Sequence, residues 1–142
     1  MSNNEGQLEK IGGGIKAIAI INLVFEAFVI IGAIVSILFK DSINATAKNA
    51  GLKTTISSSD FIIPIIISVL IIISLILILL KNAIGVIAYF IIFIGNEVYS
   101  IIQNGFTPLM LIAFILPILM AIFVYQKRSI FKIKREEEGI AN

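Results

Sequence analysis

Two carboxylates occupy positions where an apolar chain has least use for them. Glu26 lies near the middle of a long apolar stretch, residues 15–39, and Glu97 lies toward the end of another, residues 83–102. An ionised side chain at the centre of a bilayer costs roughly 2.5–3.5 kcal/mol by insertion scales. A carboxyl in such a place is therefore protonated, hydrogen-bonded to polar neighbours, or bound to a cation or a partner protein. Ala19, Asn22, Val29, Ala33 and Ser36 are spaced three or four residues apart around Glu26. That spacing sets mostly small or polar residues on its helical face. Asn22, one turn away, is the expected local partner. In the other stretch Asn96, Glu97, Tyr99, Ser100, Gln103 and Asn104 share an arc of roughly 160° at about 100° per residue. Lipid cannot solvate such a face, so it must meet protein or water. The candidate intramembrane polar site is Asn22, Glu26, Asn96, Glu97, Tyr99 and Gln103.

The chemistry open to these groups is narrow. The chain has no Cys and no His, which removes thiolate nucleophiles, disulfides, the neutral-pH proton shuttle and the commonest metal ligand. No spacing resembles a nucleophile elbow or a metal-ligand set, and Gly12-Gly13-Gly14 lacks the Lys-Ser/Thr of a phosphate loop. An enzyme, a metal centre and a cofactor are not expected. Every Lys and Arg lies outside the apolar stretches or at their ends, and Lys16, the nearest to Glu26 along its own helix, is ten residues away. A cationic partner for Glu26 must come from another molecule.

The elements that position these residues follow from composition. Of 142 residues 58% are hydrophobic and 14% charged, against about 45–50% and about 25% in soluble domains. With a mean hydropathy of +1.06 and the apolar residues in long blocks, the fold class is an all-α integral membrane protein. We expect a single membrane domain of four transmembrane helices in an antiparallel up-down bundle, spanning 15–39, 61–80, 83–102 and 107–125. A cleaved signal peptide is not expected for the first stretch, because its apolar region is longer than about 15 residues.

The polar lead-in ends in Gly12-Gly13-Gly14 and is expected to order poorly. Residues 40–60 form an outer loop in which Asp41 is expected to cap a short helix ended by Gly51. Asn44-Ala45-Thr46 matches a glycosylation sequon, which an Asn-rich loop produces by chance. Ser57–Asp60 offers caps for the second span. Being nearly all Ile, Leu and Val, that span is expected to be the most lipid-exposed. Lys81-Asn82 forces a tight hairpin, 103–106 forms a second tight turn, and Thr107-Pro108 starts the fourth span, which Pro117 kinks.

The tail, 126–142, carries Lys127, Arg128, Lys132, Lys134 and Arg135, suited to anionic headgroups, with Ile130, Phe131 and Ile133 dipping into the interface. Four spans put both termini on one side with eight of the eleven basic residues; only Lys40, Lys48 and Lys53 lie opposite. The positive-inside rule makes the termini cytoplasmic, with 40–60 and 103–106 extracellular. Ile-rich spans and Asn- and Lys-rich loops point to an AT-rich bacterial genome, hence a bacterial plasma membrane. Glu26 then lies about 18 Å from either helix end and Glu97 roughly 8 Å from the outer one, sketching an outward polar pocket. The leading expectation is a non-enzymatic accessory, immunity or resistance protein that binds another membrane protein through the outer loop and this pocket. The alternative is a homo-oligomeric transporter or channel with Glu26 as its proton or cation site. Membrane anchoring accounts for the basic tail, so no nucleic-acid partner is expected.

Overall fold

The computed structural model describes residues 10–53 and 55–131, and the regular elements among them are all helical. They are α1 (Gly13–Asn49), α2 (Ser59–Leu79), α3 (Ala83–Asn104), α4 (Pro108–Ala113) and α5 (Ile115–Gln126). With α4 and α5 taken as one broken span, Pro108–Gln126, four helices are long and apolar enough to cross a membrane.

α1 is one rod of 37 residues, about 55 Å long, where roughly 20 residues cross a hydrocarbon core. The chain passes through Asp41 without the expected break, because nothing between Lys40 and Ala50 is Gly or Pro. It stops where Gly51 supplies φ +77°. The Gly51 N–H donates to the Lys48 carbonyl at 3.1 Å and the Leu52 N–H to the Ala47 carbonyl at 2.9 Å, the paired bonds of a Schellman end. The return segment is strapped to the rod. Asn44 donates its amide to the Ile56 carbonyl at 2.9 Å and accepts the Ile56 N–H at 2.8 Å. Lys40 Nζ donates to Ser58 Oγ at 3.0 Å. The amide of the sequon asparagine is thus already used in folding. Asp60 Oδ2 accepts the Ser57 N–H at 2.8 Å, tying down the start of α2. Because α2 begins at Ser59, Pro64 lies inside the helix.

Leu80, Lys81 and Asn82 join α2 to α3. Lys81 adopts φ 61° and donates its N–H to Ile78, while the Asn82 N–H reaches Leu77, both at 2.9 Å. Asn82 Oδ1 then accepts the Ile84 N–H at 2.9 Å and caps α3. Closing one helix and opening the next within this turn brings α3 directly back against α2, and Gly85 makes the approach possible. A Cβ there would lie 2.5 Å from Leu77 Cβ, 2.7 Å from the Ile78 nitrogen and 2.8 Å from the Ser74 carbonyl oxygen.

α2 is the central helix, packed on α1 on one side and α3 on the other, with Ser68, Ile71, Ser74, Leu75 and Ile78 buried. The expectation that it faces lipid most is overturned: it buries a larger share of its apolar stretch than any other span. Uniform apolarity hides the buried face, since in lipid helices associate through close contact at small residues and not through polarity differences.

α5 closes on α1. Gly14, where a Cβ would come within 2.7 Å of the Phe123 ring, lets the two approach. Packing against α5 thus orders Gly13 and Gly14 as the first turn of α1, where a loose lead-in is expected from composition. Ile130 and Phe131 are buried in the core with Ile11 and Ile15, not placed at the lipid interface. Lys127 packs beside Gly12, and the Arg128 guanidinium sits 4.6 Å from the centre of the Tyr125 ring. Lys132, Ile133, Lys134 and Arg135 lie outside the described residues. The fourth span is broken at Phe114 where a kink is expected. Pro117 cannot donate to the Ala113 carbonyl and its ring crowds that group; the helix resumes with the Ile118 N–H on the Phe114 carbonyl at 3.0 Å.

Candidate functional site

Helix α1 sets Asn22 and Glu26 one turn apart on the face that meets α2 and α3. The small residues of that face let the neighbours approach: Ala19 and Ala33 are buried, although Val29, in the same stripe, is exposed. Each polar group finds its own partner. Asn22 donates to the Ile18 carbonyl of its own helix at 3.0 Å, and its side chain also meets the hydroxyl of Tyr89 on α3. Glu26 is hydrogen-bonded to the hydroxyl of Ser68 on α2. The expected Asn22–Glu26 pairing is thus replaced by two links between helices, α1 to α2 and α1 to α3.

Tyr89 anchors this layer. It is 1% exposed and edge-on to Phe90 at 5.2 Å between ring centres. Its place follows from Gly85, one turn earlier on the same face, which presses this part of α3 against α2.

Further along, α3 and α5 touch only lightly, and a cavity of about 530 Å³ lies between α1, α3 and the broken fourth span, with Ile71 of α2 on its wall. Asn22, Glu26, Asn96 and Glu97 all line it, together with Tyr89 and Phe93. Carboxylates placed roughly 10 Å apart in depth by helix rise therefore open on one space. Glu97 is 8% exposed. Among the described residues it has no hydrogen-bond or ion-pair partner, whereas Glu26 has Ser68. The remaining polar residues of α3 go elsewhere. Tyr99 and Gln103 are exposed and absent from the cavity wall, because the polar arc is too wide for one neighbour to cover.

The fourth span supplies the opposite wall through Leu109, Ile112, Ala113, Leu116 and Pro117. Its break falls beside the cavity, and Phe114 at the break packs edge-on to Phe93 at 5.4 Å between ring centres. Leu109 and Ile112 are 75% and 61% exposed, so the cavity opens outward across an apolar rim. No basic side chain lines it, and no group of three or more His, Cys, Asp or Glu able to hold a metal ion occurs among the described residues.

Sequence reading missed Ser68 and Tyr89. The only signal for Ser68 was a hydroxyl, shared with Ser74, in a span that is almost entirely Ile, Leu and Val, and for Tyr89 its spacing of one turn from Gly85. Comparison with family models, curated proteins and solved structures finds no match for this chain.

Proposed function

We propose that this chain is a non-enzymatic protein of a bacterial plasma membrane that holds a positively charged group in the cleft bearing Glu26 and Glu97. The spans run alternately up and down with both termini cytoplasmic, and the strapped end of α1 with residues 50–58 stands outside. The basic residues support this orientation, since only Lys40, Lys48 and Lys53 fall on the outer side. Lys127 and Arg128, with Lys132, Lys134 and Arg135, meet anionic headgroups.

One observation carries the reading. Glu97 is buried at the wall of a cavity it shares with a second carboxyl, with no partner among the described residues. Among the described residues no buried side-chain oxygen or nitrogen lacks a hydrogen-bond partner, so the Glu97 carboxyl oxygens open on the cavity, where the low dielectric of an apolar wall strengthens their attraction for a cation. The test is carboxyl reactivity in proteoliposomes. A lipophilic carbodiimide labels Glu97, and protection by members of a panel of alkali-metal, guanidinium and alkylammonium ions, read by mass spectrometry, supports the proposal. Labelling that no cation alters overturns it.

A second reading is favoured by the outer end of α1. Asn44 and Lys40 hold the return segment against the helix, presenting a fixed surface with Leu52 exposed to an accessory partner in the same membrane. Purification in mild detergent tests it: a stoichiometric co-purifying membrane protein whose binding is lost on Leu52→Glu supports this role. A homo-oligomer indifferent to Leu52→Glu favours a transporter or channel built around the cleft.

A further inference from the structure

We infer, resting on the cation-binding reading above, that the cleft takes a lipophilic organic cation: one positive charge on an apolar, aromatic-sized body. Three features select this class. The cavity of about 530 Å³ falls inside the roughly 300–1,000 Å³ range of small-molecule sites. A 20-residue helix, about 10 Å across and 30 Å long, fills roughly 2,400 Å³, so a partner helix does not fit within it. The wall is apolar apart from a few polar groups, and its only charged residues are Glu26 and Glu97. An anion is therefore repelled, and a bare metal ion finds too few oxygen ligands to replace its water. Phe25 and Phe93 place aromatic rings in the lining, which suits a cation whose charge is spread over an organic body.

The two acids are not equivalent. Ser68 already occupies Glu26, whereas Glu97 is buried and has no partner among the described residues. Glu97 is the charge partner of the ligand and Glu26 lies deeper in the same wall. The rim decides the route. Phe25 and Leu109 line the cavity yet stay largely exposed, so the mouth is apolar and the ligand enters from the bilayer, in which a lipophilic cation concentrates.

The experiment is equilibrium binding of radiolabelled tetraphenylphosphonium to the purified full chain in detergent, with tetraphenylborate as the anion of the same shape and tetramethylammonium as the same charge without the body. The expected result is saturable binding of tetraphenylphosphonium and none of tetraphenylborate. Affinity falls about tenfold or more in Glu97→Gln and falls less in Phe93→Leu. Gln103→Ala, outside the cavity, leaves it unchanged. Thermal unfolding is measured on each variant, and Phe93→Leu with the anion comparison carries the test should Glu97→Gln fail to fold. Equal binding of the phosphonium and the borate overturns the inference. Protection of Glu97 from carbodiimide by tetramethylammonium but not by tetraphenylphosphonium also overturns it, while leaving a cation site in place. Absence of any Glu97-dependent cation effect overturns both.

Discussion

Gly85→Ala is the sharpest perturbation the fold offers, because one methyl group meets three atoms at once. The new Cβ would lie 2.5 Å from Leu77 Cβ, 2.7 Å from the Ile78 nitrogen and 2.8 Å from the Ser74 carbonyl oxygen. Carbon atoms sit comfortably at about 3.5–4.0 Å, so α2 and α3 must part by about 1 Å. Two of the three atoms belong to the backbone of α2 and cannot swing aside. Overpacking costs about 1–3 kcal/mol, and a rigid obstacle places this case near 3 kcal/mol. The control is Gly95→Ala in the same helix, where a Cβ meets nothing within 4 Å and the helical preference of Ala gives a change within about 1 kcal/mol. Unfolding from mixed micelles by increasing detergent denaturant, followed through the tyrosine circular dichroism to which buried Tyr89 contributes, measures both variants. Parting the helices also draws Tyr89 from Asn22, so Gly85→Ala loses cleft binding as well. If Gly85→Ala matches Gly95→Ala in stability, the tight α2–α3 contact is refuted, and with it the account of how Tyr89 is placed.

Other variants probe separate links. Lys81→Gly relieves a left-handed backbone at φ 61° and raises stability by about 1 kcal/mol in the same assay; Lys81→Ala, which keeps the strain, does not. Pro117→Ala restores the bond to the Ala113 carbonyl, and spin labels at Leu109 and Ile122 then report the separation of one continuous helix in place of a bent pair; an unchanged distance refutes proline as the cause of the break. Asn44→Ala removes two hydrogen bonds to Ile56, costs about 1–2 kcal/mol and speeds proteolysis within 50–57, where Thr46→Ala does not. Ser68→Ala strips Glu26 of its partner and destabilises the fold by about 1–3 kcal/mol; if Ser68→Ala and Glu26→Gln are additive in combination, the two side chains do not interact.

What the chain reveals by itself is whatever a single helix already contains. Block length and apolarity set the four spans, Lys81-Asn82 marks a tight turn, Thr107-Pro108 marks a start, and Gly51 marks the end of α1. The stripe around Glu26 correctly pointed inward at Ala19, Asn22 and Ala33. Glu97 and Asn96 were legible as a face lipid cannot solvate, but not which part of that wide arc is used: Tyr99 and Gln103 share it and are absent from the wall of this cavity.

The tertiary structure decided everything that depends on a second helix. It gave Glu26 to Ser68 and Asn22 to Tyr89, made α2 central, and drew Ile130 and Phe131 into the core. It also left Glu97 and Glu26 on the wall of one cleft. The reason is physical. Among apolar helices in an apolar medium there is no polarity difference to say which face is buried, so close fit at residues such as Gly14, Ser74 and Gly85 chooses the neighbours. Glu26 announced a site from within one helix; which groups complete it was settled only by packing.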